Sequence, residues 1–389
     1  MNDAILVTGG AGYIGSHTAR RLLEAGRRVI VADNFSTGHR AVGSLFREIY
    51  GPEKFQLEEI DLLDQGAAAA VFDRHEISGI IDFAARSLVG ESQQQPRLYF
   101  EQNVLAFCNL VAASDGVPIV KSSTAASYGE PDAKYVPLAE SYQQNCVDDG
   151  QFATSQLRPA EVTFDELLGW YENEVAEHAP SLALQDDDRE HLKIPTNVYG
   201  ITKVMDERIL HRCGRREGRR FVALRYFNAA GADGSGLIGE DHDPESHLIP
   251  LVLQVALGQR EQIVIFGDDY ATEDGTAVRD YISVDELADA HVKTLDYLLG
   301  GGASQTFNLG TRNGYSVRQI IETARRVTGE EIVAETGPRR SGDPALLVAD
   351  AGKIEQALGW RSTETLEQTI TSAWNWHRGH PDGYGDAGV

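Results

Sequence analysis

Tyr199 and Lys203 stand four residues apart in Tyr199-Gly200-Ile201-Thr202-Lys203, so on a helix they share one face. A phenol with a pKa near 10 is a poor base at neutral pH. A lysine ammonium beside it favours the phenolate. A downward displacement of about three or four pH units would bring it to where a general base works. The pair gains meaning from an earlier stretch, Val7-Thr8-Gly9-Gly10-Ala11-Gly12-Tyr13-Ile14-Gly15-Ser16-His17. There Gly9, Gly12 and Gly15 follow an apolar run, Ala4 to Thr8. One glycine makes a tight turn, one lets backbone approach a pyrophosphate, and one lets helix pack on strand. Together the two motifs point to hydride and proton transfer at an alcohol carbon, with a dinucleotide held at the glycine turn.

The elements around these residues must position them. A glycine motif alone is a weak signal. Here a helix is expected from about Gly12 to Ala25, with its first N–H groups aimed at phosphate. A second apolar run, Arg28-Val29-Ile30-Val31-Ala32, then ends in Asp33, 24 residues after Gly9. A carboxylate there accepts both adenosine ribose hydroxyls and repels a 2′-phosphate, which favours NAD over NADP. Further strands are expected at Ile5–Thr8, Phe55–Glu59, Gly79–Phe83, Ile119–Ser122 and Phe221–Tyr226, with helices between them. That alternation predicts an α/β fold, a Rossmann-type doubly wound parallel sheet. Ser122-Ser123-Thr124 ends one of these strands, where a hydroxyl can donate to, or relay a proton from, a substrate oxygen.

From Asn228 the pattern changes to short strands, Gly/Asp-rich turns and brief helices. The expectation is an NAD-binding domain over 1–228 and a smaller C-terminal α/β lobe over 229–389, binding substrate and partly interleaved with the first. Near the C-terminus, Ser362–His377 is expected to be a helix with Leu366, Ile370 and Trp374 on one face. Residues of about 141–193 carry no strong strand signal and are expected to be an insertion. Within it, a capping box at Thr163-Phe164-Asp165-Glu166 opens one amphipathic helix through Val175.

Composition bounds the rest. With 35 Lys+Arg against 59 Asp+Glu, the net charge is −24 in 389 residues. Such a balance disfavours nucleic acid and anionic membrane as partners. An anionic substrate then needs a locally basic pocket, for which Arg225, Arg279, Arg339 and Arg340 are candidates. No apolar run approaches the roughly 18 residues of a membrane helix. The chain opens directly into a strand with no basic leader or cleavage site, which predicts a cytoplasmic protein. Cys108, Cys146 and Cys213 are scattered, and His211 beside Cys213 has no second ligand pair, so no metal centre is expected.

These motifs resemble the extended short-chain dehydrogenase/reductase family, and within it the nucleotide-sugar 4-epimerases. The resemblance runs through Phe83-Ala84-Ala85, Val89-Gly90-Glu91-Ser92, Ser122-Ser123-Thr124, Leu224-Arg225-Tyr226-Phe227-Asn228, Gly239-Glu240-Asp241, His247-Leu248-Ile249-Pro250, Val278-Arg279-Asp280-Tyr281 and Arg340-Ser341-Gly342-Asp343-Pro344. It covers nearly the whole chain except about 141–193. It implies tightly held NAD, a UDP-sugar substrate, and inversion at C4 through a transient 4-keto sugar, interconverting UDP-galactose and UDP-glucose. Tyr199 would be the base, Lys203 would hold the nicotinamide ribose and lower the tyrosine pKa, and Thr124 would bridge the sugar oxygen. Cofactor contacts implied are Gly9, Gly12, Tyr13, Ile14, Gly15, Asp33, Asn34, Asp61, Leu62, Phe83, Ala84, Ala85, Ser87, Gln102 and Phe227. Substrate contacts implied are Asn228, His247, Leu248, Phe266, Arg279, Arg340, Asp343 and Leu347. Relatives carry Lys near Ser87, so cofactor retention is an open point. Leu347 stands at the position that gates sugar size, which leaves N-acetylhexosamines open, as are the UDP-pentoses arabinose and xylose. A dehydratase would need an acidic pair beside Thr124, and Ala125-Ala126 offers none. An NAD-sensing regulator would not require Thr124, Tyr199 and Lys203 together. The family's four-helix interface would use helices near Gln94–Ser114 and Tyr199–Arg212, implying a homodimer.

Overall fold

Runs of Val, Ile, Leu and Ala fold as strands where both faces are covered, and here they form the centre of the molecule. The computed structural model describes residues 3–129, 131, 133–142, 195–340 and 343–385. The helix expected at Phe164–Val175, and most of the expected insertion, lie outside these residues. Among the described residues, a seven-stranded parallel sheet runs Gln305–Leu309, Phe221–Tyr226, Ile119–Thr124, Ile77–Asp82, Ala4–Thr8, Arg28–Asp33, Phe55–Glu59. The order reverses beside Ala4–Thr8, whose two neighbours are Arg28–Asp33 and Ile77–Asp82. Ligands bind such sheets at that switch point, beyond the carboxyl ends of the strands. Thr8, Asp33, Asp82, Thr124 and Tyr226 all end strands at that one edge.

Two layers hold the sheet. Ile5, Val7, Val29, Val31, Val120, Val222 and Phe307 face one core with Leu22, Leu287 and Leu295 of the helices Tyr13–Glu24 and Val284–Leu299. Leu6, Ile30, Ile80 and Ile119 face the other, with Phe107, Leu110 and Leu210. Each such side chain contributes about 1.5–3 kcal/mol on burial. A platform packed on both faces fixes the strand ends that carry the site.

The sequence analysis expected six of the seven strands. The seventh, Gln305–Leu309, comes from beyond residue 228 and pairs Thr306 with Ala223 and Leu309 with Tyr226. The chain crosses to the smaller lobe after Tyr226, then returns through Val284–Leu299 to finish the large sheet. The strand is short and sits between a glycine turn, Gly300-Gly301-Gly302, and Gly310, so its apolar signal is brief. The smaller lobe packs the helices Leu248–Ala256, Val317–Thr328 and Leu366–Gly379 around Ile249, Val252, Leu253, Ile320, Ile370 and Trp374. The last helix starts later than Ser362 because Thr365 caps it, in a reciprocal box with Gln368.

Candidate active site

Thr124 arrives at the site as the last residue of a central strand. Tyr199 arrives on the helix Val198–Glu217, which Asn197 caps by accepting from Gly200 N at 2.8 Å. Gly200 sets the distance between these two elements. A Cβ on it would lie 2.7 Å from the Ala126 carbonyl oxygen, so only glycine lets the helix seat against the turn after Thr124. The result sets Tyr199 beside the Thr124 side chain, which favours the phenolate of Tyr199. One helical turn on, Lys203 is buried, donates to the Ser122 carbonyl at 3.1 Å, and lies 5.9 Å from the Tyr199 ring centre. The three residues expected to do chemistry are thus brought together.

The protein's own groups do not make Tyr199 a base. Burial pushes its hydroxyl up to about 12, against the opposing pull of the Thr124 side chain and the Lys121 ammonium. Burial and the Lys121 charge push Lys203 down. Lys121 was not anticipated. It is fully buried behind the site, 2.5 Å from Asp82 and 3.0 Å from Asp206, above the Phe107 ring. Thr8 also donates to Asp82, at 2.5 Å. Beside this cluster Glu207 accepts from Ser123 at 2.5 Å and from Arg225 at 2.8 and 2.5 Å. Ser122 and Tyr226 share a 2.5 Å hydrogen bond. Charged residues inside otherwise apolar strands, Asp82 and Lys121, were the available signal.

Arg225 corrects an expectation. It is 3 % exposed and locked to Glu207, so it serves the floor of the site and not a pocket for phosphate. Arg339 is engaged with Asp269 at 2.6 Å at the surface.

At the glycine turn the residues fit a dinucleotide. Gly9 has φ +65°, and a Cβ on it would meet Ala84 N at 2.7 Å; a Cβ on Gly15 would meet Gly9 O at 2.2 Å. Bare backbone therefore lines the turn. No side chain caps the helix at Gly12, which leaves the first N–H groups, from Tyr13 and Ile14, for an anion. Asp33 accepts from Ala11 N at 2.9 Å and Phe35 N at 2.8 Å, one bond on each oxygen. Each oxygen keeps a lone pair for a ribose hydroxyl. Asn34 donates to Asp61 at 3.3 Å, and Leu62 is buried beside it. Phe83 stacks near His291, and Ala84 N donates to Asp82 at 3.1 Å, which fixes the Phe83-Ala84-Ala85 loop. Ser87 is exposed; the cation beside it is Arg86, paired with Glu91 at 3.3 Å. Gln102 lies in the π-helical turn Phe100–Leu105. Its neighbour Asn103 bridges Arg86 to Thr202 of the Tyr199 helix, a positioning role that the sequence analysis missed.

The residues expected at substrate assemble from short pieces of the smaller lobe. Leu346–Leu347 pairs with Val278–Arg279, and Arg279 bonds Asp343. Arg340 lies 4.1 Å over the ring of Phe266. Leu347 and Phe227 both pack on Ala125, Tyr128 and Leu138. Asn228 starts a strand paired with Tyr281–Ser283, and Leu248 starts a helix. His247 is placed differently from the others: it bonds Glu240 in its own loop.

The profile of the family described as GDP-mannose 4,6 dehydratase matches residues 6–145 and 183–373. The UDP-glucose 4-epimerase of Halalkalibacterium halodurans is 46% identical over 385 residues, covering 98% of this chain and 97% of that one. A crystal structure of a UDP-glucose 4-epimerase superposes with TM-score 0.80 at 40% identity, covering 98% of this chain and 99% of the other. The Bifidobacterium longum UDP-glucose 4-epimerase, solved with NAD+ and UDP, gives 0.78 at 32% identity over 98% and 99% of the two chains. A parallel sheet switched at a glycine turn, a Thr–Tyr–Lys group at its carboxyl edge and these full-length likenesses place the chain in the UDP-glucose 4-epimerase family.

Proposed function

We propose that this chain is an isomerase that interconverts UDP-galactose and UDP-glucose with tightly held NAD. The observation that carries the reading is the buried Lys203, 5.9 Å from the Tyr199 ring centre and donating to the Ser122 carbonyl two residues before Thr124, at the same carboxyl edge of the sheet as the Gly9–Gly15 turn. The chemistry supplied there by bound NAD is reversible hydride transfer at C4 of the sugar. Tyr199 accepts the 4-hydroxyl proton and returns it after the 4-keto sugar has turned in the pocket. Lys203 holds the nicotinamide ribose and favours the phenolate. Thr124 holds the sugar oxygen. Gly9, Gly12, Tyr13, Ile14 and Asp33 hold the dinucleotide, with Asn34, Asp61, Leu62, Phe83, Ala84 and Phe227 around it. Asn228, Leu248, Phe266, Arg279, Arg340 and Asp343 grip the uridine diphosphate, where the planar guanidinium suits phosphate oxygens.

The reading extends to a cytoplasmic homodimer in galactose metabolism, made of an NAD domain over 1–228 and a substrate lobe over 229–389 that is partly interleaved with it through Val284–Leu299 and Gln305–Leu309. Within one chain, Phe100, Val104 and Cys108 pack on Ile201 and Met205, so the two helices expected at the interface lie side by side. No helix among the described residues is long and apolar enough to cross a membrane.

The test is incubation of purified protein with UDP-galactose and no added NAD, with UDP-glucose followed by a coupled assay. Product would support both the reaction and a retained cofactor. Activity only after adding NAD would locate the weakness in retention, at Ser87. Silence in both, with turnover of UDP-arabinose or UDP-N-acetylglucosamine, would overturn the assigned sugar.

A further inference from the structure

Outside the proposed reaction centre, one cluster of side chains has no part in the proposed chemistry. It lies in the loop between the strand Asn228–Ala230 and the Leu248–Ala256 helix, and contains Glu240, His242, Glu245 and His247. One oxygen or nitrogen from each converges so that all four atoms lie within 4.8 Å of one another. The His247 Nδ1 to Glu240 Oε1 distance is 2.5 Å, and His242 Nδ1 is 3.5 Å from both Glu240 Oε1 and Glu245 Oε2. His247 Nδ1 lies 3.8 Å from Glu245 Oε1. A four-coordinate ion with bonds of about 2.0–2.1 Å spaces its ligand atoms about 3.3 Å apart. The observed separations bracket that edge.

Two further observations separate this cluster from a patch of solvated charge. His242 Nδ1 is fully buried and makes no hydrogen bond, although it faces both carboxylates. Glu245 is held in place by backbone groups, with one oxygen 3.5 Å from His242 Nδ1. Its Oε1 accepts from Ser246 N at 2.6 Å and His247 N at 2.7 Å, which leaves Oε2 directed at His242. Outer bonds of that kind fix ligating groups in metal centres. The side chains of Glu240 and Glu245 are 3 % and 7 % exposed, so two carboxylates are withdrawn from water with only imidazoles to balance them. Burying charge in this way is costly unless the group is paired or bound to a metal.

We propose that Glu240, His242, Glu245 and His247 form a structural site for one divalent cation of the zinc class. Two imidazoles and two carboxylates suit Zn2+ better than Ca2+ or Mg2+, which prefer oxygen alone. The place of the site gives its use. The Tyr13 ring packs edge-on against His242, with centroids 6.1 Å apart, and Tyr13 also donates to Gly231 O at 2.7 Å. His247 directly precedes the Leu248–Ala256 helix. An ion here would tie the glycine turn of one lobe to the first turn of a helix in the other. No step at C4 runs through it. The site departs from the expectation of no metal centre, because its signal is Glu-x-His-x-x-Glu-x-His and not a cysteine spacing.

The test uses tag-free, full-length protein. It is incubated with Zn2+, dialysed against metal-free buffer, and analysed for zinc by mass spectrometry. The expected result is close to one zinc per chain, with affinity reduced at least about tenfold in His242→Asn and in Glu245→Gln. Co2+ in place of Zn2+ should give the intense visible bands of a four-coordinate centre in the wild-type protein, a measurement that needs no variant to fold. Zinc that dialyses away would overturn the proposal. So would zinc retained equally by both variants, or only the weak bands of hexa-aquo Co2+.

Discussion

At the residue scale, Tyr199 shows what the protein lacks by itself. Its hydroxyl is pushed up to about 12 by burial, far from the working range of a base at neutral pH. A positive nicotinamide ring beside it would lower that value. Binding of NAD+ should therefore expel a proton from Tyr199, and affinity should rise with pH. Calorimetry in two buffers of different ionisation enthalpy measures the release; it should approach one proton per site at mildly alkaline pH and vanish in Tyr199→Phe. No release in the wild type would remove Tyr199 as the base. Two buried histidines give a second prediction. His17 and His291 are each pushed down to about 4 from 6.5 by burial. The unfolded chain then takes up their protons first, so stability falls as pH drops from about 6.5 toward 4. The full effect is about 3 kcal/mol for each. Urea midpoints across that window should decline in the wild type and decline less steeply in His291→Gln. Equal slopes would show that His291 takes no part.

At the element scale, the site depends on how closely a helix can approach a turn. Gly200→Ala would raise helix propensity, a gain of about 1 kcal/mol taken alone. The new Cβ would fall 2.7 Å from the Ala126 carbonyl oxygen, and backbone would have to yield. Tyr199 is the residue that moves, since it adjoins Gly200. A displacement near 1 Å costs on the order of 10²-fold in rate. We expect turnover in Gly200→Ala to fall by that order while the melting temperature changes little. Turnover within about twofold of wild type would mean that the helix tolerates the shift. Buried ion pairs under the same helix, Lys121 with Asp82 and Asp206, and Arg225 with Glu207, hold its inner face in one register.

At the scale of the whole molecule, the two lobes are not separable in sequence. Gln305–Leu309 is the outer partner of Phe221–Tyr226, and the helix before it packs on the first helix of the chain. Arg21 of that first helix pairs with Asp285 at 3.2 Å. A fragment ending at residue 228 would leave the buried strand Phe221–Tyr226 with its outer edge unpaired, and such edges aggregate. It should fail to unfold cooperatively or to stay monodisperse, by differential scanning calorimetry and light scattering. A well-behaved 1–228 fragment would show that the returning strand adds nothing essential.

The sequence alone determined the class of sheet, six of its strands, the cofactor turn and the residues of the proposed chemistry. These are local: apolar runs, glycines without a Cβ, and a four-residue helical spacing each carry their reason within a short window. The tertiary structure decided the rest. It decided that Arg225 supports the floor, because only folding places Glu207 2.5 Å from it. It decided the seventh strand, whose pairing spans some 80 residues. It decided the convergence of Lys121, Asp82 and Asp206, and of Glu240, His242, Glu245 and His247. Lys121, Asp82 and Asp206 are far apart along the chain and meet only in space, whereas the Glu240–His247 cluster is local in sequence and needed the fold only to turn its four side chains toward one point.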